Sequence, residues 1–172
     1  GMGNAAKAPP DGYTILFVSS SYVVNPSLYD KEPYDPYKDF IPLTVAATAA
    51  NVLLVNPNVL PMKSAKELAE TLKANPGKYS FASAGTGTTP HLSGELFKLT
   101  YKLDIVHVPF PGAGPAIQSI VGGHTPLAFT SLPPAVPLIK DGKLRALAVA
   151  NKTRVAVLPD VPTLEESGSP DQ

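Results

Sequence analysis

The 172-residue chain contains no cysteine, which removes disulfides, thiolate metal sites and cysteine nucleophiles from its chemistry. It is also poor in charge: only 16% of residues are charged, and 14 basic residues cancel 14 acidic ones. That balance leaves no broad positive face for a phosphate backbone, so no nucleic-acid partner is expected. No uninterrupted apolar run reaches the ~18 residues that a membrane-spanning helix requires. No basic-then-apolar leader is visible, and Gly1-Met2-Gly3 reads as a tag remnant ahead of a start codon.

The usual enzyme motifs are missing as well. Gly85-Thr86-Gly87 lacks the third glycine of a dinucleotide fingerprint, with Pro90 in its place. Gly112-Ala113-Gly114 has Ile117 there, and no Gly-Lys-Ser/Thr phosphate loop occurs. Ser83 follows a strand signal, but Phe81 stands where a nucleophile elbow needs its first glycine. The histidines, His91, His107 and His124, are 16 and 17 residues apart, which does not suit a metal cluster. His107 reads as a satisfied sheet residue and His124 as an exposed turn residue. Asp35 and Asp39 read as turn and cap residues, Asp104 as a surface residue, and Glu165-Glu166 as a solvated helix start. No enzyme, cofactor or metal is expected.

What the chain does have is proline, 20 residues of it, which implies many fixed turns and short elements. Strand and helix signals alternate, the pattern of an α/β fold with a mainly parallel sheet. Strands are expected at Tyr13 to Ser19, in two pieces between Phe40 and Val55, and at Tyr79 to Ser83. Further strands are expected at Ile105 to Val108, Leu127 to Phe129 and Leu144 to Val149. A proline- and tyrosine-rich connector covers Asn25 to Tyr29 and Tyr34 to Phe40. Ser64 and Glu67 have capping-box spacing, and Ala65, Leu68, Ala69 and Leu72 form the apolar stripe of the helix they start. Leu92, Leu96 and Leu99, with Phe97 beside them, are expected to supply the buried face of the next helix, and Ile117, Ile120 and Val121 that of a shorter one closed by Gly122-Gly123. A helix from Thr130 to about Lys140 follows.

Three strand-to-helix junctions share one design: after Ser83, after Val108 and after Phe129. In an open parallel sheet such junctions line up at the carboxyl ends of the strands, where ligands bind. The first is the most informative. Gly85 and Gly87 let the backbone turn sharply, Thr89 stands at the expected N-cap and Pro90 at the first helical position. The first amides of such a helix lack internal partners and favour an anion, either a carboxylate or a phosphate. His91 stands in that first turn, where its imidazole can donate to a carboxylate.

Several segments occur in an order that resembles a known family. These include Pro10-Asp11-Gly12-Tyr13-Thr14, Asn25-Pro26-Ser27-Leu28-Tyr29, Asn51-Val52-Leu53-Leu54-Val55-Asn56-Pro57 and Gly85-Thr86-Gly87-Thr88 with His91-Leu92. His107-Val108-Pro109-Phe110, Gly142 to Val149 and Pro159-Asp160-Val161-Pro162-Thr163 complete the series. The set is similar to the substrate-binding receptors of tripartite tricarboxylate transporters, the Bug or TctC-like family. The resemblance implies a type II periplasmic-binding-protein-like fold, with two α/β lobes closing over a small carboxylate. It also implies periplasmic localisation and transfer of the ligand to membrane permease subunits.

Carried onto this sequence, the resemblance places ligand contacts at Ser83, Gly85, Thr86, Gly87, Thr88 and His91. Gly112 and Ala113 border the site, Ser19 and Ser20 belong to a serine-rich loop of the first lobe, and Thr130 and Ser131 complete the set. The family usually has aspartate where this chain has Thr130, a departure that bears on ligand class. Family chains are longer at both ends. Residues 1–48 are therefore expected to be part of the first lobe, 49–165 a nearly complete second lobe and 166–172 a tail. An incomplete lobe would expose strand edges such as Tyr13 to Val18, which are expected to pair with another copy, giving a homodimer, or with the second lobe itself. A ligand-responsive sensor of the same fold and a non-functional truncated receptor are the alternatives.

Overall fold

In a computed structural model, residues 1–169 of the chain are described. The chain divides into two compact units, Gly1–Thr48 and Ala49–Gln172. The last residues of the expected tail, 170–172, lie outside the described part.

The first unit contains the helices α1 (Met2–Ala5) and α2 (Ser21–Leu28). It is organised by aromatic rings. Tyr22 stacks on Tyr34 at 6.1 Å, and both meet Phe40 edge-on at 5.7 and 5.9 Å. The Tyr22 hydroxyl donates to the Pro36 carbonyl. Asp35 and Asp39 do act in a turn, accepting from the Tyr37 and Asp35 amides at 2.9 and 2.7 Å. Three expectations need correction here. Residues 25–28, read as connector, lie in α2, which tolerates Pro26 although Tyr22 loses the amide that would have bonded its carbonyl. Tyr13 to Ser19 is not a strand, and neither is the stretch from Phe40 to Ala49. A β-branched or aromatic run becomes a strand only when a ladder partner takes up its amides and carbonyls. Neither segment has one among the described residues, and Tyr13, Ile15, Phe17, Ile41, Leu43 and Val45 stay exposed.

Among the described residues, the second unit is built on five strands: β1 (Asn51–Val55), β2 (Ser80–Ser83), β3 (Val106–Pro109), β4 (Leu127–Ser131) and β5 (Arg145–Ala150). They lie in the order β3-β2-β4-β1-β5. β2 runs parallel to β3 and β4, while β1 runs antiparallel to both β4 and β5. Four strands therefore share one direction and only β1 opposes them, which agrees with a mainly parallel α/β sheet.

Alternate residues of each strand feed opposite cores. Leu53, Phe81, Leu127 and Phe129 pack with Leu68 and Leu72 of α3 (Ala65–Lys73) and Phe97 of α4 (Thr89–Tyr101). Val52, Leu54, Ala82 and Ala128 pack with Ile117 and Ile120 of α5 (Ala113–Val121) and with Ala135 of a short 3-10 turn, Pro133–Ala135. Leu138 of α6 (Val136–Lys140) closes that side. Two helical layers thus sandwich the sheet.

The α3 stripe is buried as expected, and the Ser64 hydroxyl caps it by accepting from the Glu67 amide at 3.1 Å. The Glu67 carboxylate reaches back to the Lys63 amide at 2.9 Å. The α4 face is only partly the expected one. Phe97 is buried as expected, but it is joined by Pro90 and Gly94, whereas Leu92 and Leu99 are exposed. The helix expected from Thr130 is also displaced. β4 continues through Ser131, and the prolines at 133, 134 and 137, which lack donors, leave a 3-10 turn and a short helix. Glu165 and Glu166 are exposed as expected, and Glu166 forms a capping box with Thr163 and an ion pair with Arg154 at 2.9 Å. Among the described residues, no helix is long and apolar enough to cross a membrane, and no group of three His, Cys, Asp or Glu could hold a metal.

Candidate functional site

Adjacent parallel strands β3, β2 and β4 deliver their carboxyl ends to one edge of the sheet. The loop after β2 is the best-defined part of that edge. Gly85 and Gly87 take φ values of +126° and +78°, a region that L side chains enter only with strain. The cap is Thr88 rather than Thr89. Its hydroxyl donates to the Gly85 carbonyl at 2.6 Å and accepts weakly from the His91 amide at 3.5 Å. Thr89 is then the first helical residue and Pro90 the second, where a missing donor still costs nothing.

Several loop amides are already used. The Gly85 N–H donates to Ser83 Oγ at 3.2 Å, the Gly87 N–H to His91 Nδ1 at 3.2 Å, and the Thr88 N–H to the Gly85 carbonyl at 3.3 Å. The amides of Thr86 and Thr89 make no hydrogen bond within the described residues, and both residues are exposed. The anion-ready donors are therefore fewer than the bare motif suggests.

Beside this loop lies the start of α5. Gly112, φ +153°, is its cap, and Ala113 begins it. The amides of Ala113 and Gly114 have no partner within the described residues. A β-carbon on Gly85 would lie 3.4 Å from the Phe110 carbonyl oxygen, so the two loops touch. Two helix N-termini with free donors consequently share one sheet edge, an arrangement that favours negative charge.

Thr130 and Ser131 end β4. Thr130 is fully buried, pairs across the ladder with Val52, and its hydroxyl has no hydrogen-bond partner among the described residues. Ser83 is also fully buried, and its hydroxyl meets His107 Nε2 at 2.7 Å. His107 lies against His91, ring centroids 4.2 Å apart. Sequence reading found His91 but gave no hint of its contact with His107. Burial lowers the pKa of both, that of His107 to about 4 with help from the His91 charge, so both rings are neutral at pH 7. His124 is exposed as expected. Ser19 and Ser20 belong to the first unit, where Ser20 is the N-cap position of α2 and Ser19 Oγ lies 2.9 Å from Ser21 Oγ.

Residues 1–172 match the family described as tripartite tricarboxylate transporter family receptor. The chain is 36% identical to Protein BugT of Bordetella pertussis, over 99% of its own length and 53% of that protein. Among solved structures it is similar to Rpa4515 of R. palustris with adipate (33% identity, TM-score 0.93) and to MatC of Rhodopseudomonas palustris with bound malate (32%, TM-score 0.85). These matches cover 99% and 98% of this chain and 57% of each of those chains. The chain spans about half the length of the curated relatives it matches. Residue motifs, fold and matches agree: the chain belongs to the tripartite tricarboxylate transporter receptor family, the TctC and Bug solute-binding proteins.

Proposed function

We propose that this chain binds a small carboxylate as the ligand-binding part of a periplasmic solute receptor serving a tripartite transporter. One observation supports the reading above others. Two helix starts, α4 and α5, bring amides that are unpartnered among the described residues, at Thr86, Thr89, Ala113 and Gly114, to a single sheet edge, and relatives of this fold were solved with adipate and malate. Backbone donors of this kind hold a carboxylate without a charged side chain. Ser83, Gly85, Gly87, Thr88 and His91 shape the loop, while Gly112, Ala113, Thr130 and Ser131 border it. Membrane permease subunits are the onward partners. The exposed rows Tyr13, Ile15, Phe17 and Ile41, Leu43, Val45 pair with a second copy, so light scattering at high concentration should return twice the monomer mass; a monomer would exclude the dimer.

The test of binding is a thermal-shift screen with adipate, malate, citrate and glutamate. An acid at 100 times its dissociation constant adds about 2.7 kcal/mol to stability. Gly87→Leu, strained at φ +78°, should abolish the shift. No response to any of the four acids, or an equal response in Gly87→Leu, would overturn the reading.

A further inference from the structure

Two imidazoles stand behind the ligand loop and hold it by its glycines. His91 Nδ1 accepts the Gly87 N–H at 3.2 Å, so the neutral ring carries its proton on Nε2, 3.9 Å from Glu95 Oε1. His107 Nε2 meets Ser83 Oγ at 2.7 Å, and that hydroxyl accepts the Gly85 N–H at 3.2 Å. Each histidine thus fixes one of the two peptides whose positive φ shapes the turn. Phe81 stacks on His107 at 4.8 Å and keeps the ring in place from the core side.

We propose that His91 and His107 are positioning residues that lock the 85–88 turn in its ligand-ready shape, and that a proton taken up by His91 releases the lock. The proposal rests on the carboxylate-receptor reading. Protonated Nδ1 is a donor and can no longer accept from Gly87, so two N–H groups would face each other. His107 only positions: its Nε2 can donate to Ser83 in either charge state.

The surrounding charges decide where this happens. Glu95 is the carboxylate facing His91, but it is already bridged to Lys98 at 2.9 Å, which offsets its pull on a proton. His107 lies across from His91 on β3, and a second cation 4.2 Å away disfavours double protonation. Burial lowers the pKa of both rings. The lock therefore stays closed through neutral pH and opens as pH falls below the ordinary histidine range.

The experiment follows the Gly85 and Gly87 amides of the 172-residue chain by NMR hydrogen exchange from pH 7.5 to 4.5, with calorimetric titration of adipate and malate in parallel. Exchange rates are corrected for their intrinsic pH dependence. The expected result is loss of Gly87 protection, at least tenfold, with the same midpoint as the His91 ring resonances. His91→Leu should lack that protection at every pH. His91→Asn, whose Oδ1 can accept but takes no proton, should keep protection and lose its pH dependence. The titration of the diacids themselves cancels between wild type and His91→Asn. Unchanged Gly87 protection in His91→Leu, or pH dependence persisting in His91→Asn, would overturn the lock. Failure of both diacids, and of citrate and glutamate as well, to bind would sink the receptor reading alone, because the amide measurements need no ligand.

Discussion

A β-carbon on Gly94 would stand 2.3 Å from Cε2 of Phe81, with two further ring atoms within 3.0 Å. Helix α4 therefore lies directly on β2 because residue 94 has no side chain. Phe81 is fully buried and cannot swing away. Gly94→Ala gains up to ~1 kcal/mol of helix propensity but overpacks the core at a cost of ~1–3 kcal/mol. The variant should be less stable by ~1–2 kcal/mol in urea unfolding, and a stabilised variant would show that the helix can lift off the sheet.

Stability should decline in acid before most carboxylates titrate. His107 has a folded-state pKa near 4 because of burial and the adjacent His91, against an ordinary value near 6.5. Between those values the unfolded chain binds the proton and the folded chain does not. The contribution of His107 is then fully present above about pH 6.5 and disappears as pH falls toward 4. His107→Gln should flatten the melting-temperature profile across this window.

Asn56 joins the end of β1 to the end of α5. Its buried amide donates to the Ile120 and Val121 carbonyls at 2.9 and 3.2 Å, and its Oδ1 accepts from the Asn58 amide at 3.0 Å. Asn56→Ala strands those groups and should cost ~2 kcal/mol. Asn56→Asp should be worse at pH 7, since a carboxylate cannot donate to either carbonyl. Equilibrium denaturation would rank the two.

Thr130 offers the opposite test. Its buried hydroxyl has no partner among the described residues, so Thr130→Val, of similar shape, should stabilise the ligand-free protein by ~1 kcal/mol. If that hydroxyl is a ligand contact, the same variant should bind the preferred diacid about tenfold more weakly. A destabilised valine variant would mean that the hydroxyl is satisfied in solution.

Parts of this architecture could be read directly from residue order. The Ser64 cap and the Ala65, Leu68, Ala69, Leu72 stripe located α3, because both are contacts within a few residues of each other. Gly85 and Gly87 announced the turn, since few residues other than glycine enter its backbone geometry. The α4 face misled for a physical reason. Counting apolar side chains selects Phe97 correctly but also Leu92, Leu96 and Leu99, whereas close approach to the core runs through Gly94, whose lack of a side chain is what permits contact. Tyr13 to Ser19 misled because strand-forming residues do not supply their own ladder.

Local chemistry along the chain was therefore enough to place an anion-favouring turn in an α/β framework, because capping, periodicity and backbone freedom act over a few residues. Tertiary structure alone decided the reversed direction of β1 between β4 and β5. It alone decided which turn amides remain free, and brought His91 against His107 across 16 positions. Such pairings depend on which strands lie side by side and which helix covers them. That arrangement comes from packing the whole sheet between its two helical layers, so no short window of residues contains it.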